Sequence, residues 1–229
     1  ADITPREMVF VLDCSGSMAY TGSEAAEFDG HKLSKFEYGK YLAAAITYLL
    51  VGQQDGVGLV TFDNKIREFL PAKARASQVR NILEYIDNSR AGGETAISGI
   101  FDEVAERIPH RGVVFIISDL FDDVTPLIKA LHHFHYRKHE IVVLHIMAEE
   151  ELHFPFNSFV HFQDLESPLE LLLDPKSLRA SYLDRVNEFL KILKDGCGQM
   201  MADYVPISTK VPFEKSLADY LARRRTGIG

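Results

Sequence analysis

The sequence has no tryptophan, only two cysteines, and fewer basic than acidic side chains. The last two scarcities each exclude something. Cys14 and Cys197 cannot by themselves build a disulfide framework or a cysteine-based zinc site. Two thiols fit a reducing compartment, so the expected location is cytoplasmic. Lys and Arg number 25 against 33 Asp and Glu, a net charge of −8. A nucleic-acid binder usually presents a basic face, so no nucleic-acid partner is expected. Long apolar runs are missing too. The longest, Tyr41 to Val51, contains Thr47 and falls well short of the roughly 20 residues a membrane span needs. Residues 1–8 are mixed and polar, unlike a secretory leader. The chain starts at Ala1 without a methionine, as a piece trimmed from something longer would. Against these scarcities, 229 residues with 46% hydrophobic content supply ample material for one core.

Apolar runs and helical periodicities alternate along the chain. Met8–Leu12 is a continuous apolar run, as expected for a strand covered on both faces. Ala19–Lys32 is rich in Gly, Ser, Glu and Asp and reads as a mobile loop. Tyr38, Tyr41, Leu42, Ala45, Ile46 and Leu49 have helical spacing. Gly56–Phe62 is a second strand, and a turn at Asp63-Asn64 leads into Lys65–Leu70, a more polar strand suited to a sheet edge. Val79 to Ile86 marks a helix, broken at Ala91-Gly92-Gly93. Another helix starts near Thr95 and carries Ile97 to Ile108. Val113–Ser118 is a strand, Val124 to Phe134 a helix and Ile141–Met147 a strand. This alternation predicts an α/β fold: three layers, a doubly wound, mostly parallel sheet with helices on both faces.

Beyond Glu149 the pattern changes. Phe159–Phe162 and Leu169–Leu173 read as two strands of a hairpin around Glu166-Ser167-Pro168. A long helix is expected from Lys176 to Asp195, ended by Gly196-Cys197-Gly198. Tyr204–Ile207 reads as a last strand and Phe213–Arg224 as a last helix. One domain is expected over 1–229, with a core at about 6–150 and a C-terminal extension over 151–229.

Two strands run into an aspartate, Asp13 after MVFVL and Asp119 after VVFIIS. In a doubly wound sheet, ligands gather outside the carboxyl ends of strands at the switch point. The first loop reads Asp13-Cys14-Ser15-Gly16-Ser17, one carboxylate and two hydroxyls. Thr95 follows the Gly92-Gly93 loop. Asp13, Ser15, Ser17, Thr95 and Asp119 are therefore the candidate site. Two carboxylates and three hydroxyls are hard oxygen donors that suit Mg²⁺ or Mn²⁺ and not zinc. A divalent ion would relieve the repulsion between the carboxylates. Water or a partner's oxygen would complete its shell, and a partner carboxylate would gain most.

This constellation resembles the metal-ion-dependent adhesion site (MIDAS) of von Willebrand factor A domains, over about residues 6–150. The resemblance implies that the serines and the threonine ligate the metal, directly or by water. It also implies that an acidic side chain of a protein partner completes the octahedron. Phe10-Val11-Leu12-Asp13-x-Ser15-Gly16-Ser17-Met18, Lys35-x-Glu37-Tyr38 and Asp55-x-Val57-Gly58-Leu59-Val60-x-Phe62-Asp63 are similar to the domain-of-unknown-function-58 (DUF58) family. So are Ser118-Asp119-Leu120-Phe121-Asp122 and Phe162-x-Asp164-x-Glu166 through Leu178-x-x-x-Tyr182. These are bacterial proteins often encoded with MoxR-type AAA+ ATPases. The resemblance implies an adaptor or co-chaperone role, and members often carry an extra N-terminal region, sometimes with membrane spans. The Ala19–Lys32 loop looks longer than the family's usual connection.

Simpler roles fit the remaining polar residues. Glu94, Asp122 and Asp123 read as solvated or helix-start charges. Cys14 reads as a packed core residue and Cys197 as a buried terminator. His132, His133, His135 and His139 read as a solvated basic helix end, as does Arg223-Arg224-Arg225. His145 reads as a satisfied core or edge histidine. An enzyme using the same ion is the competing function. Ser15 stands where a haloacid-dehalogenase-type phosphotransferase needs a second aspartate. The nucleophile-elbow and P-loop patterns are missing from the sequence. The expectation is a non-enzymatic, metal-dependent interaction module. A metal-dependent hydrolase or phosphoryl-transfer enzyme and a metal-free scaffold are the alternatives.

Overall fold

The computed structural model describes residues 7–51, 55–158, 160–163, 165–166 and 170–226. In chain order the strands are β1 (Glu7–Asp13), β2 (Glu27–Phe28), β3 (His31–Lys32), β4 (Gly56–Phe62), β5 (Ile66–Lys73), β6 (Gly112–Ser118), β7 (Glu140–Met147), β8 (Val160–Gln163), β9 (Glu170–Leu173) and β10 (Asp203–Ser208). The helices are α1 (Lys35–Val51), α2 (Ala76–Asn88), α3 (Ile97–Arg107), α4 (Val124–Tyr136), α5 (Glu149–His153), α6 (Pro175–Gln199) and α7 (Phe213–Thr226).

The main sheet has the order β10-β7-β6-β1-β4-β5. Every pairing is parallel except β4 with β5. The chain builds outward from β1 to β4 and β5, then returns to the other side of β1 with β6. The order therefore reverses between β1 and β6, and the carboxyl ends of those strands carry Asp13 and Asp119.

The apolar runs in β1, β4, β6 and β7 are buried because both faces are covered. On one face Phe10, Leu12, Leu59, Phe115 and Ile117 pack beneath α1, α2 and α7. On the other, Val9, Val11, Val60, Val114 and Ile116 pack beneath α3, α4 and α6. The segment after Glu149 thus supplies a helix to each face, and β10 extends the sheet.

Several expectations change. The Ala19–Lys32 segment is organised: β2 and β3 form an antiparallel hairpin around Asp29-Gly30, with φ of 50° and 81°. That turn matches the left-handed pair a two-residue hairpin requires. Phe28 then packs on Tyr41 and Phe213. Helix α1 starts at Lys35, earlier than the periodicity from Tyr38 implies. Ser34 and Glu37 form a capping box there: the Ser34 amide donates to Glu37 Oε2 at 2.9 Å and the Glu37 amide donates to Ser34 Oγ at 3.1 Å.

Helix α6 does not stop at Gly196-Cys197-Gly198 but runs to Gln199. Gly196 serves packing instead. A Cβ there would lie 2.5 Å from Ile128 Cδ1 of α4. Cys197 is buried within the helix, not beyond it. His139 is also not solvated: it is 5% exposed, and its Nδ1 accepts the Gly112 amide at 3.3 Å. The β8–β9 hairpin forms as expected. Phe159, Ser167, Pro168 and Leu169 lie outside the described residues.

Candidate functional site

All five sequence-selected residues sit at the carboxyl end of the sheet, on three loops; backbone bonds join two of them, and the Ser118 hydroxyl on Asp13 joins the third. The Gly16 amide donates to Gly93 O at 2.9 Å, and the Gly92 amide donates to Cys14 O at 2.9 Å. These two bonds bring the glycine loop, with Thr95, against the Asp13–Ser17 loop. Gly93 has φ of +91°, and a Cβ there would meet Asp63 Oδ2 at 2.8 Å, so glycine is required. Arg67 secures the same loop: its Nε donates to Asp63 Oδ2 at 2.8 Å, and its guanidinium reaches Arg90 O and Gly92 O.

Asp13 is fully buried. Its Oδ1 accepts the Ser15 amide at 2.8 Å, the side-chain turn that Asp favours, and its Oδ2 accepts the Ser118 hydroxyl at 2.6 Å. Ser15 Oγ and Ser17 Oγ are 3.1 Å apart. Asp119 is fully buried next to Asp13 across the switch point. Burial first, and then the negative charge of Asp119, push the Asp13 carboxyl up to about 7. Burial is the larger cause, and the neighbouring carboxylate adds to it. Thr95 precedes α3, whose N-cap is Ala96, so its side chain does not cap that helix. Thr95 Oγ1 instead donates to Glu166 Oε1 at 2.5 Å.

Lys35, to which sequence reasoning gave no role, joins the arrangement, and the neighbouring His145, Asp123 and Cys14 take the simpler roles expected of them. Lys35, 1% exposed in the first turn of α1, places its ammonium 2.7 Å from Asp119 Oδ2 and 2.5 Å from Glu151 Oε1. Burial alone would lower its pKa, but those carboxylates outweigh it and hold it above the usual lysine value. Its ammonium also lies 4.8 Å from the centre of the Phe121 ring. His145 is a satisfied core histidine: Nε2 lies 2.8 Å from Asp119 O and Nδ1 2.7 Å from Tyr204 Oη. Burial drives its pKa down to about 4, so it is neutral and buttresses the Asp119 turn. Leu120 sits there at φ of +56°, unusual for leucine, and is fully buried. Asp123 caps α4, accepting the Thr125 amide at 3.1 Å, and Asp122 accepts the Ser98 amide at 3.2 Å. Cys14 is buried beside the site, and burial raises its thiol pKa to about 12, so it is no nucleophile.

Among the described residues, no group of three or more His, Cys, Asp or Glu side chains forms a metal cluster. The set here has two carboxylates and draws its other oxygens from hydroxyls, a composition that fits a hard cation with retained waters. A cavity of about 350 Å³ opens beside it, lined by Ser17, Tyr20, Lys35, Phe121 and Glu166. The larger cleft, about 720 Å³, lies at the amino ends of β7 and β10 near Glu140 and Asp203 and holds none of these residues. Ligands of such sheets bind at the carboxyl ends, which favours the smaller cavity. No helix among the described residues is long and apolar enough to cross a membrane.

The architecture matches solved structures along nearly its whole length. BatB from Bacteroides thetaiotaomicron is 14% identical with a TM-score of 0.60, covering 98% of this chain and 100% of that one. An aerotolerance-related membrane protein from Bacteroides fragilis is 14% identical with a TM-score of 0.54, over 95% and 99% of the two chains. The SpRpn10 VWA domain is 14% identical with a TM-score of 0.53, over 99% and 98%. These likenesses establish a von Willebrand A-like fold. No curated protein matched the sequence significantly. The family model described as "Protein of unknown function DUF58" matches residues 4–189, and the chain belongs to that family.

Proposed function

We propose that Asp13, Ser15, Ser17, Thr95 and Asp119 bind one divalent cation, Mg²⁺ or Mn²⁺, and that the site is a docking point for an acidic side chain of a protein partner. The carrying observation is the pair of buried carboxylates with the 3.1 Å Ser15–Ser17 hydroxyl pair at the same sheet end. The cation would supply charge and an open coordination position. The chain's own residues do the rest. Ser118 and the Ser15 amide orient Asp13, Arg67 holds the Thr95 loop, and His145 fixes the Asp119 turn. We read the module as a non-enzymatic adaptor or co-chaperone. Family resemblance points to a MoxR-type AAA+ ATPase as the partner, and the two free thiols suit a cytoplasmic setting, with the parent protein open to membrane association.

The test is co-elution of the purified chain with a MoxR-type AAA+ ATPase from the same organism, with Mg²⁺ and with chelator. Capture that requires Mg²⁺ and disappears in Asp13→Ala supports the proposal. Equal capture with and without chelator contradicts the metal bridge. Metal-dependent phosphatase or esterase turnover lost in Ser15→Ala would favour an enzyme instead. A metal-free scaffold is the second reading, favoured by the Lys35 ammonium on Asp119. Against it, the one ammonium pairs with Asp119 and Glu151, and the buried Asp13 carboxyl, whose partners are the Ser118 hydroxyl and the Ser15 amide, still shifts to about 7.

A further inference from the structure

Glu166 already places a carboxylate against the two loops that carry Ser17 and Thr95. It reaches in from the β8–β9 hairpin. Its Oε1 accepts the Thr95 hydroxyl at 2.5 Å and the Ser17 amide at 3.2 Å, and its Oε2 accepts the Thr95 amide at 2.9 Å. The donors come from the two loops that carry Ser17 and Thr95, both proposed ligands. A hydroxyl has one proton to donate and lone pairs to offer. Thr95 spends its proton on Glu166 and keeps its lone pairs for a cation.

The loop is shaped around this contact. A Cβ on Gly16 would lie 2.5 Å from Leu165 O and 3.0 Å from Glu166 Cγ. The glycine of Asp13-x-Ser15-Gly16-Ser17 therefore makes room for the hairpin tip. Leu165 and Glu166 also sit over the 350 Å³ cavity beside Lys35.

We infer that Glu166 is an intramolecular ligand acid: it closes the cation site from within the chain, and an external carboxylate must displace it to bind. The inference rests on the metal-site reading above. It turns the docking point into a gated one, with the Glu166 carboxylate as the competitor.

The experiment uses Mn²⁺ alone as the first probe, read by calorimetry and by water-proton relaxation of the bound ion. N-acetylglutamate is the second probe, as a free acid. In Glu166→Ala, water enters the vacated position. Relaxation enhancement per bound Mn²⁺ should rise, and Mn²⁺ affinity should fall at least about ten-fold, since loss of even an outer-shell partner costs that much. N-acetylglutamate should then suppress the enhancement at concentrations that leave the wild-type signal unchanged. Glu166→Gln keeps the side chain's shape without its charge. It should behave as the alanine variant does, and it carries the test if Glu166→Ala fails to fold. Wild-type enhancement and affinity in both variants would overturn the inference and leave Glu166 as a hairpin anchor. Failure of the metal-site reading looks different: the wild-type chain would bind no Mn²⁺, or would bind it as well as Asp13→Ala does.

Discussion

Lys35 Nζ lies 2.7 Å from Asp119 Oδ2, and the two side chains are 1% and 0% exposed. The pair joins the first turn of α1 to the loop after β6, and it brings a fixed positive charge to a site otherwise made of oxygen. Removing one partner of a buried ion pair strands the other. Lys35→Met should therefore destabilise the metal-free chain by about 3–5 kcal/mol, measured by urea unfolding in chelator. Saturating Mg²⁺ should return part of the loss, because a ligand at about 100 times its Kd adds about 2.7 kcal/mol to the folded state. A variant as stable as wild type in chelator would show that the pair has little net worth.

The strand ends and the D-x-S-x-S loop were legible because apolar runs and a switch-point rule locate them without side-chain detail. The contacts of Lys35 and Glu166 were not, although both residues stand in the motifs shared with the family. Each acts across a long sequence separation, on Asp119 and on Thr95, and no local pattern encodes such a contact. The Asp29-Gly30 turn was readable as a hairpin signal, but the polar composition around it pointed to a loop. Local chemistry misled at Gly196-Cys197-Gly198, where two glycines resembled a helix stop. The tertiary demand there is close approach of α6 to Ile128 of α4.

That explanation separates the two glycines. At Gly196 an added methyl meets Ile128 at 2.5 Å, whereas at Gly198 it meets nothing within 4 Å. Gly196→Ala should cost about 1–3 kcal/mol through overpacking. Gly198→Ala should gain about 0.5–1 kcal/mol from helix propensity alone. Chemical denaturation of the two variants checks this. Equal effects of one sign would contradict it.

His139 gives the stability a pH dependence. Its Nδ1 accepts the Gly112 amide, and among the described residues its buried Nε2 has no hydrogen-bond partner. Burial, and then the neighbouring Arg137, hold its pKa below the ordinary 6.5. The unfolded chain takes up that proton first as pH falls. The stabilisation is thus complete above 6.5 and is lost as pH falls through the lower folded value. His139→Gln should flatten this decline in urea midpoints measured across the acid range. Parallel declines in the two proteins would assign the acid sensitivity elsewhere.

Calorimetric titration of the chain with Mg²⁺ is the most direct measurement of the central claim. The account predicts a single site per chain, lost in Asp13→Ala and weakened in Thr95→Ala while both variants stay folded by circular dichroism. Binding heats that are nil in the wild type, or unchanged in Asp13→Ala, would contradict it.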